Sequence, residues 1–187
     1  MKTSKQEIEF LRESNAIEGE YSNEAMKGAI NAWTYANKKR FKNPTVGYIE
    51  KIHKELMTPL KPEIAGKIRS CGVTIGGKLK KKTSPYIISE QLREWLEKYW
   101  NVEKEELIKE AHVAFEEIHP FVDGNGRTGR ILFNVMRFNT GYPIMIIKES
   151  ERQDYYNWFK TPEEIANYEI EKDKSLLAFF KDYLGEI

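Results

Sequence analysis

The chain has 187 residues, with 30 Lys and Arg against 29 Asp and Glu, for a formal net charge of +1. That length holds one domain with a real core, and the near-balance of charge removes any global attraction to nucleic acid or to a membrane surface. A mean hydropathy of −0.64, no apolar run able to span a bilayer, no leader pattern at the N-terminus and a single cysteine, Cys71, point to a cytoplasmic protein of a reducing compartment without disulfides.

Helical periodicity dominates the chain. Ser4-Lys-Gln-Glu7 reads as a capping box opening a helix that runs to Glu18, where Gly19 stops it. Met26, Ala29, Ile30 and Trp33 mark a second helix, and Val46, Ile49, Ile52 and Leu56 a third that carries His53. From Gly72 to Tyr86 the pattern changes: Val73-Thr-Ile75, Gly76-Gly77 and Lys78-Leu79-Lys80 read as a short hairpin with a basic tip. Ser89 is placed to cap a fourth helix through Leu92, Trp95, Leu96 and Tyr99, and a fifth is expected from Glu105 to Ile118. A further helix runs from Ile131 through Val135 and Phe138 to Gly141-Tyr-Pro. Arg152 to Phe159 is expected to be helical, Thr161-Pro162 to open another helix, and a last one to follow through Leu177, Phe180 and Leu184. His53 and His112 fall on apolar helical faces, where packing or polar bridging is expected rather than catalysis, and Cys71 is expected to be a small buried or edge residue.

Between the fifth helix and the next lies His119-Pro-Phe-Val-Asp-Gly-Asn-Gly-Arg-Thr-Gly-Arg130. No packing argument asks for that mixture. At the start of a helix, unpaired backbone N–H groups and the macrodipole favour an anion, and Gly124 and Gly126 let that backbone come close to a phosphate. Asp123 is a hard oxygen ligand suited to Mg²⁺ alongside substrate phosphates. Arg127 and Arg130 share a face and can grip phosphates with planar forks, while His119 is the nearby group suited to accept a proton near neutrality. Two weaker patterns are set aside. Gly124 to Gly129 fits a dinucleotide fingerprint, but a helix rather than a strand precedes it; Gly72 to Lys78 nearly fits a P-loop, but Leu79 stands where a hydroxyl must reach the metal.

Written as His-x-Phe-x-Asp-Gly-Asn-Gly-Arg-x-x-Arg, the loop resembles the signature of the Fic family of nucleotidyl transferases, which typically move AMP from ATP onto a hydroxyl of a target protein. The likeness runs from about Val46 to Phe159, through Gly66-Lys-Ile-Arg69, Val73-Thr-Ile-Gly76, the Glu110–Ile118 segment and Arg152-Gln-Asp-Tyr155-Tyr156. It implies an all-α fold, a Fic-like helical domain with one short β-hairpin, the flap, on which a target protein docks. It implies His119 as catalytic base and Asp123 as the Mg²⁺ ligand. The nucleotide would be bound by Val73, Thr74, Ile75, Gly76, Asp123, Gly124, Asn125, Gly126, Arg127, Thr128, Gly129, Arg130, Tyr155 and Tyr156. Ser14-Asn-Ala-Ile-Glu18-Gly19 resembles the family's inhibitory motif, which implies that Ser14, Glu18 and Gly19 belong to an inhibitory N-terminal helix, residues 1–20, packed on a Fic domain of residues 21–187, with Glu18 paired to Arg130.

The expected activity is therefore AMP transfer from ATP to a Ser, Thr or Tyr hydroxyl, with self-modification and a homodimer both compatible with it. The alternatives are an enzyme that mainly removes AMP by way of Glu18, and a catalytically silent nucleotide-binding module. Gly126, where kinase-type relatives carry lysine, favours nucleotidyl transfer. Ser84-Pro85 and Lys160-Thr-Pro depart from the family's usual flap end and adenine-contacting turn, and leave strictness for ATP open.

Overall fold

The computed structural model describes residues 3–40, 43–72 and 84–184, which divide into two compact units, Met1–Glu149 and Ser150–Ile187. In the first unit, α1 (Lys5–Ile17) opens with the expected capping box: the Glu7 N–H donates to Ser4 Oγ at 3.2 Å, and the Ser4 N–H donates to Glu7 Oε2 at 2.6 Å. The other Glu7 oxygen accepts from Trp33 Nε1 at 2.8 Å and Asn37 Nδ2 at 3.2 Å, so one carboxylate caps α1 and ties it to α2 (Asn23–Lys38). Helix α2 buries Ala25, Gly28, Ala29, Ala32 and Ala36, a face of small residues that lets α3 (Val46–Met57) approach closely. At Gly28 a Cβ would stand 2.1 Å from the Leu56 carbonyl oxygen, so backbone meets backbone there.

Helices α4 (Ile88–Tyr99) and α5 (Glu105–Ile118) pack through Trp95 and Phe115, whose rings meet edge-on at 5.6 Å. Helix α6 (Asn125–Asn139) lies at the centre and is buried from Arg127 to Arg137 with almost no exposed face. Its polar side chains must then find partners inside the protein. Asn134 donates to the Met145 carbonyl and accepts from the Met145 N–H, while Arg137 donates to the Pro143 carbonyl and pairs with Glu105. In the second unit, α7 (Arg152–Asn157) sets Tyr155 against Trp158 and Phe159, and α8 spans Pro162–Leu184.

Three expectations are corrected. The fourth helix starts at Ile88 behind a 3₁₀ turn over Pro85–Ile87, with no Ser89 cap, because Pro85 already fixes a helical φ. A single α8 replaces the two final helices, since no Gly or Pro follows Pro162 before the helix ends at Leu184. Cys71 is exposed. Among the described residues there is no strand; the hairpin expected around Val73 to Gly76 and Lys78 to Lys82 lies outside them. No helix among the described residues is long and apolar enough to cross a membrane.

Candidate active site

Helix α5 ends in an unusual way. His119, its C-cap, takes the left-handed conformation with φ 50° and ψ 63°, the one non-glycine positive φ among the described residues. That conformation costs a residue with a Cβ about 1–2 kcal/mol, and Arg69 holds it in place. The Arg69 N–H donates to the Pro120 carbonyl at 2.9 Å, and its guanidinium donates to the carbonyls of His119 at 2.7 Å, Ile118 at 3.4 Å and Cys71 at 2.8 Å. Arg69 is itself buried, so a cation at the C-terminal end of α5 also meets the negative pole of that helix. The motif reading missed this role, because nothing in sequence spacing ties Arg69 to the loop it braces.

The turn that follows is pinned from two sides. The Asn125 side chain brackets Phe121, accepting from its N–H at 2.8 Å and donating to its carbonyl at 2.9 Å. The Phe121 ring stacks flat on His53 with centroids 3.7 Å apart. His53 Nδ1 accepts from the Gly66 N–H at 2.9 Å, so Nε2 carries the proton and donates to the Asp123 carbonyl, also at 2.9 Å. Burial is the main cause that pushes the His53 pKa down to about 4, against the pull of the Asp123 contacts. His53 is thus a neutral bridge, as its apolar face implied. Gly124 has φ 75°, and a Cβ there would lie 2.7 Å from Met57 Sδ, so both conformation and space require glycine.

Charge concentrates beyond this turn. Asp123 Oδ1 accepts the Gly124 N–H at 2.6 Å and lies 3.6 Å from Arg127 Nη2; Oδ2 meets Lys61 Nζ at 2.5 Å. Burial raises the Asp123 pKa, but the Lys61 hydrogen bond, the Gly124 N–H and the Arg127 charge together outweigh it and hold the carboxyl below its ordinary value. Lys61, in the turn after α3, was not singled out from the sequence. Arg127 is buried, and its Nε and Nη1 have no hydrogen-bond partner among the described residues, as a guanidinium prepared for an anion would be. The Thr128 hydroxyl is buried in the same turn of α6, and the first N–H groups of that helix have no intrahelical acceptor.

Arg130, 1% exposed, reaches across to α1. Its Nε donates to Ser14 Oγ at 2.9 Å, and Nη2 donates to the Ser14 carbonyl at 2.8 Å and to Glu18 Oε1 at 2.7 Å. Glu18 is the C-cap of α1, with Gly19 beyond it at φ 72°. A Cβ on Gly126 would stand 2.5 Å from Glu18 Oε1, so the carboxylate lies directly over the glycine at the start of α6. The first unit therefore brings together His119, the residues from Asp123 to Arg130, Ser14 and Glu18. Tyr155, buried, and Tyr156, exposed, belong to the second unit; Val73, Thr74, Ile75 and Gly76 lie outside the described residues.

A helical domain built around a glycine turn and an arginine-bearing helix N-terminus is a class of protein in itself. The chain belongs to the Fic/DOC family, whose profile matches residues 43–136, half of its length. It is 31% identical to the protein adenylyltransferase Fic of Drosophila erecta over 123 residues, which make up 64% of this chain and 25% of that relative. The same-named protein of Drosophila mojavensis is 32% identical over 123 residues, 64% of this chain and 24% of the relative. The chain thus spans about a quarter of the length of these curated relatives. Among solved structures, Fic-1 from C. elegans superposes with a TM-score of 0.70 at 23% identity, covering 81% of this chain and 54% of that one. A Fic domain containing signaling protein from Bacteroides thetaiotaomicron gives a TM-score of 0.70 at 23% identity, with 82% and 70% covered. These structures share the fold.

Proposed function

We propose that this chain transfers AMP from ATP to a Ser, Thr or Tyr hydroxyl of a target protein, and that Glu18 restrains the reaction by occupying Arg130. The observation that carries this reading is the contact of Ser14 and Glu18 with Arg130, at the N-terminal end of a helix whose first turn also holds the buried, underpartnered Arg127. A carboxylate over Gly126 stands where an anion would be expected at a helix N-terminus. The names of the relatives, protein adenylyltransferase, support the same reaction class.

In the proposed reaction His119 Nε2 takes the proton of the target hydroxyl as its oxygen forms a bond to the α-phosphorus. The P–O bond to the β-phosphate breaks, and pyrophosphate leaves with the electron pair. The α6 N–H groups, Arg127 and Arg130 face the charge that develops, so most of the acceleration comes from position and charge neutralisation. The site fits Mg²⁺: the Asp123 carboxylate is partly exposed and already draws a cation, Lys61, onto Oδ2. No group of three or more His, Cys, Asp or Glu that could hold a metal exists among the described residues, so Asp123 would hold the ion together with substrate phosphates. When bound, Mg²⁺ would neutralise phosphate charge and orient the leaving group. Residues 73–76 are proposed to hold the target segment.

The experiment is mass spectrometry of this protein and of candidate targets incubated with Mg-ATP, for wild type and Glu18→Gly. A mass gain of one AMP that grows in the variant supports the reading. Loss of AMP from a premodified target that needs Glu18 identifies the removal enzyme instead, and ATP binding without any mass change identifies a silent module.

A further inference from the structure

We infer that Glu116 is a positioning residue for His119: it fixes which ring nitrogen carries the proton and keeps the other one basic. The inference rests on reading His119 as the proton acceptor. Because His119 is left-handed, its Nδ1 comes back over the last turn of α5, 3.3 Å from the Glu116 carbonyl oxygen and 3.8 Å from Glu116 Oε2. The Glu116 side chain is only 14% exposed and lies in the seam between α5 and α6. Its other oxygen presses on Gly129, where a Cβ would stand 2.4 Å from Oε1 and 2.9 Å from His112 Cε1. Gly129 therefore leaves a slot on α6 that a carboxylate fills. Packing alone does not ask for charge in that slot: a buried carboxylate is costly unless matched, and an apolar side chain of similar volume would fill it without that cost.

The charges around His119 come from every element packed there. From α5, Glu116 faces Nδ1, and His112 is fully buried, pushed down to about 3 by burial first and then by Arg130. From the segment after α3, the Arg69 guanidinium is bonded to the carbonyls of His119 and Ile118. From α6 comes Arg130, itself paired with Glu18 of α1. Among the described residues, Glu116 is the anion that meets the ring. With its carbonyl and carboxylate both on the Nδ1 side, Nδ1–H is the favoured tautomer, Nε2 keeps its lone pair for the target hydroxyl, and the imidazolium formed on proton transfer is matched by a fixed negative charge.

The test starts without nucleotide, by NMR titration of the histidine rings in wild type and Glu116→Gln. Burial holds His53 and His112 neutral, with pKa values of about 4 and about 3, and His119→Ala identifies the remaining resonance by deleting it. In Glu116→Gln the His119 titration moves to lower pH by about one unit. The plateau transfer rate falls about tenfold, KM for ATP is unchanged, and the acid limb of the rate profile moves in the same direction as the titration. Gly129→Ala, whose methyl displaces the carboxylate while residue 116 stays Glu, reproduces the downward shift and carries the test if the Gln variant does not fold. An unchanged His119 titration in both folded variants overturns the inference, and so does a shifted titration with an unaltered rate and profile. Full transfer by His119→Ala would instead remove the base assignment, a failure of the underlying reading that the titration separates from this one.

Discussion

Removing Glu18 puts a number on the restraint. Its carboxylate makes one hydrogen bond to a buried guanidinium, at 2.7 Å, from a side chain 34% exposed. Hydrogen bonds to charged groups contribute about 1.5–3 kcal/mol, and partial exposure places this one near the lower end, at about 2 kcal/mol. Arg130 is not stranded in Glu18→Gly, because Ser14 still accepts through both its hydroxyl and its carbonyl. If that contact is what ATP phosphates must displace, losing it raises transfer by about 30-fold, since 1.4 kcal/mol is a factor of ten. The fold loses a similar amount, which for a chain of this size lowers Tm by about 4–8 °C. Mg-ATP should return more of that loss in the variant than it adds to wild type, because Arg130 gains phosphate in place of Glu18. The assay pairs AMP incorporation with melting curves, with and without Mg-ATP. A folded Glu18→Gly protein that transfers AMP no faster than wild type refutes the argument, and Ser14→Ala, which keeps the carboxylate, should release a smaller part of the activity.

His119→Ala should lower transfer by about 10²–10⁴-fold while calorimetric ATP affinity stays close to wild type; an equal fall in affinity would make His119 a binding residue. Asp123→Ala should lower transfer by about 10²-fold or more and flatten its dependence on magnesium concentration, and a variant still stimulated by Mg²⁺ would refute the ligand assignment. The buried His53 makes stability depend on pH. Its folded pKa of about 4 lies below the ordinary 6.5, so between those values the unfolded chain binds a proton that the folded chain refuses. Stability is therefore full above the unfolded value and is lost as pH falls toward about 4, by up to about 3 kcal/mol. Denaturant midpoints from pH 7 to pH 4.5 should fall in wild type and fall less steeply in His53→Gln; parallel curves would show that His53 is not responsible.

Much of this architecture is legible in local patterns. The α1 capping box is carried by Ser4 and Glu7 alone, and α5 ends at Ile118 because Pro120 forbids its continuation. The pair of Glu18 with Arg130 is legible in another sense, since a resemblance brought together residues far apart in the chain that no periodicity connects. What local pattern missed is the bracing. Arg69, Lys61, His53 and Glu116 each act on the loop from another element or through a folded-back ring, and their sequence contexts are those of ordinary helix or turn residues. The left-handed His119 was equally hidden, because its conformation is held by Arg69 against local preference. At the other end of the chain, α8 shows that a helix with no Gly or Pro beyond its first residue runs on through polar sequence where two helices were expected.

The missing side chain at Gly28 reaches further than its position implies. Helix α3 can lie against α2 because nothing projects from residue 28 toward the Leu56 carbonyl. The same end of α3 delivers Met57 onto Gly124 and His53 onto the Asp123 carbonyl, so the spacing of two scaffold helices sets where the loop stands. A single methyl at residue 28 would move α3 outward and take both supports with it, leaving every residue of the His119 to Arg130 motif intact. In chains of this build, an unbroken motif is therefore no guarantee of a working site: inactivation can be written in a part of the sequence that carries no chemistry at all.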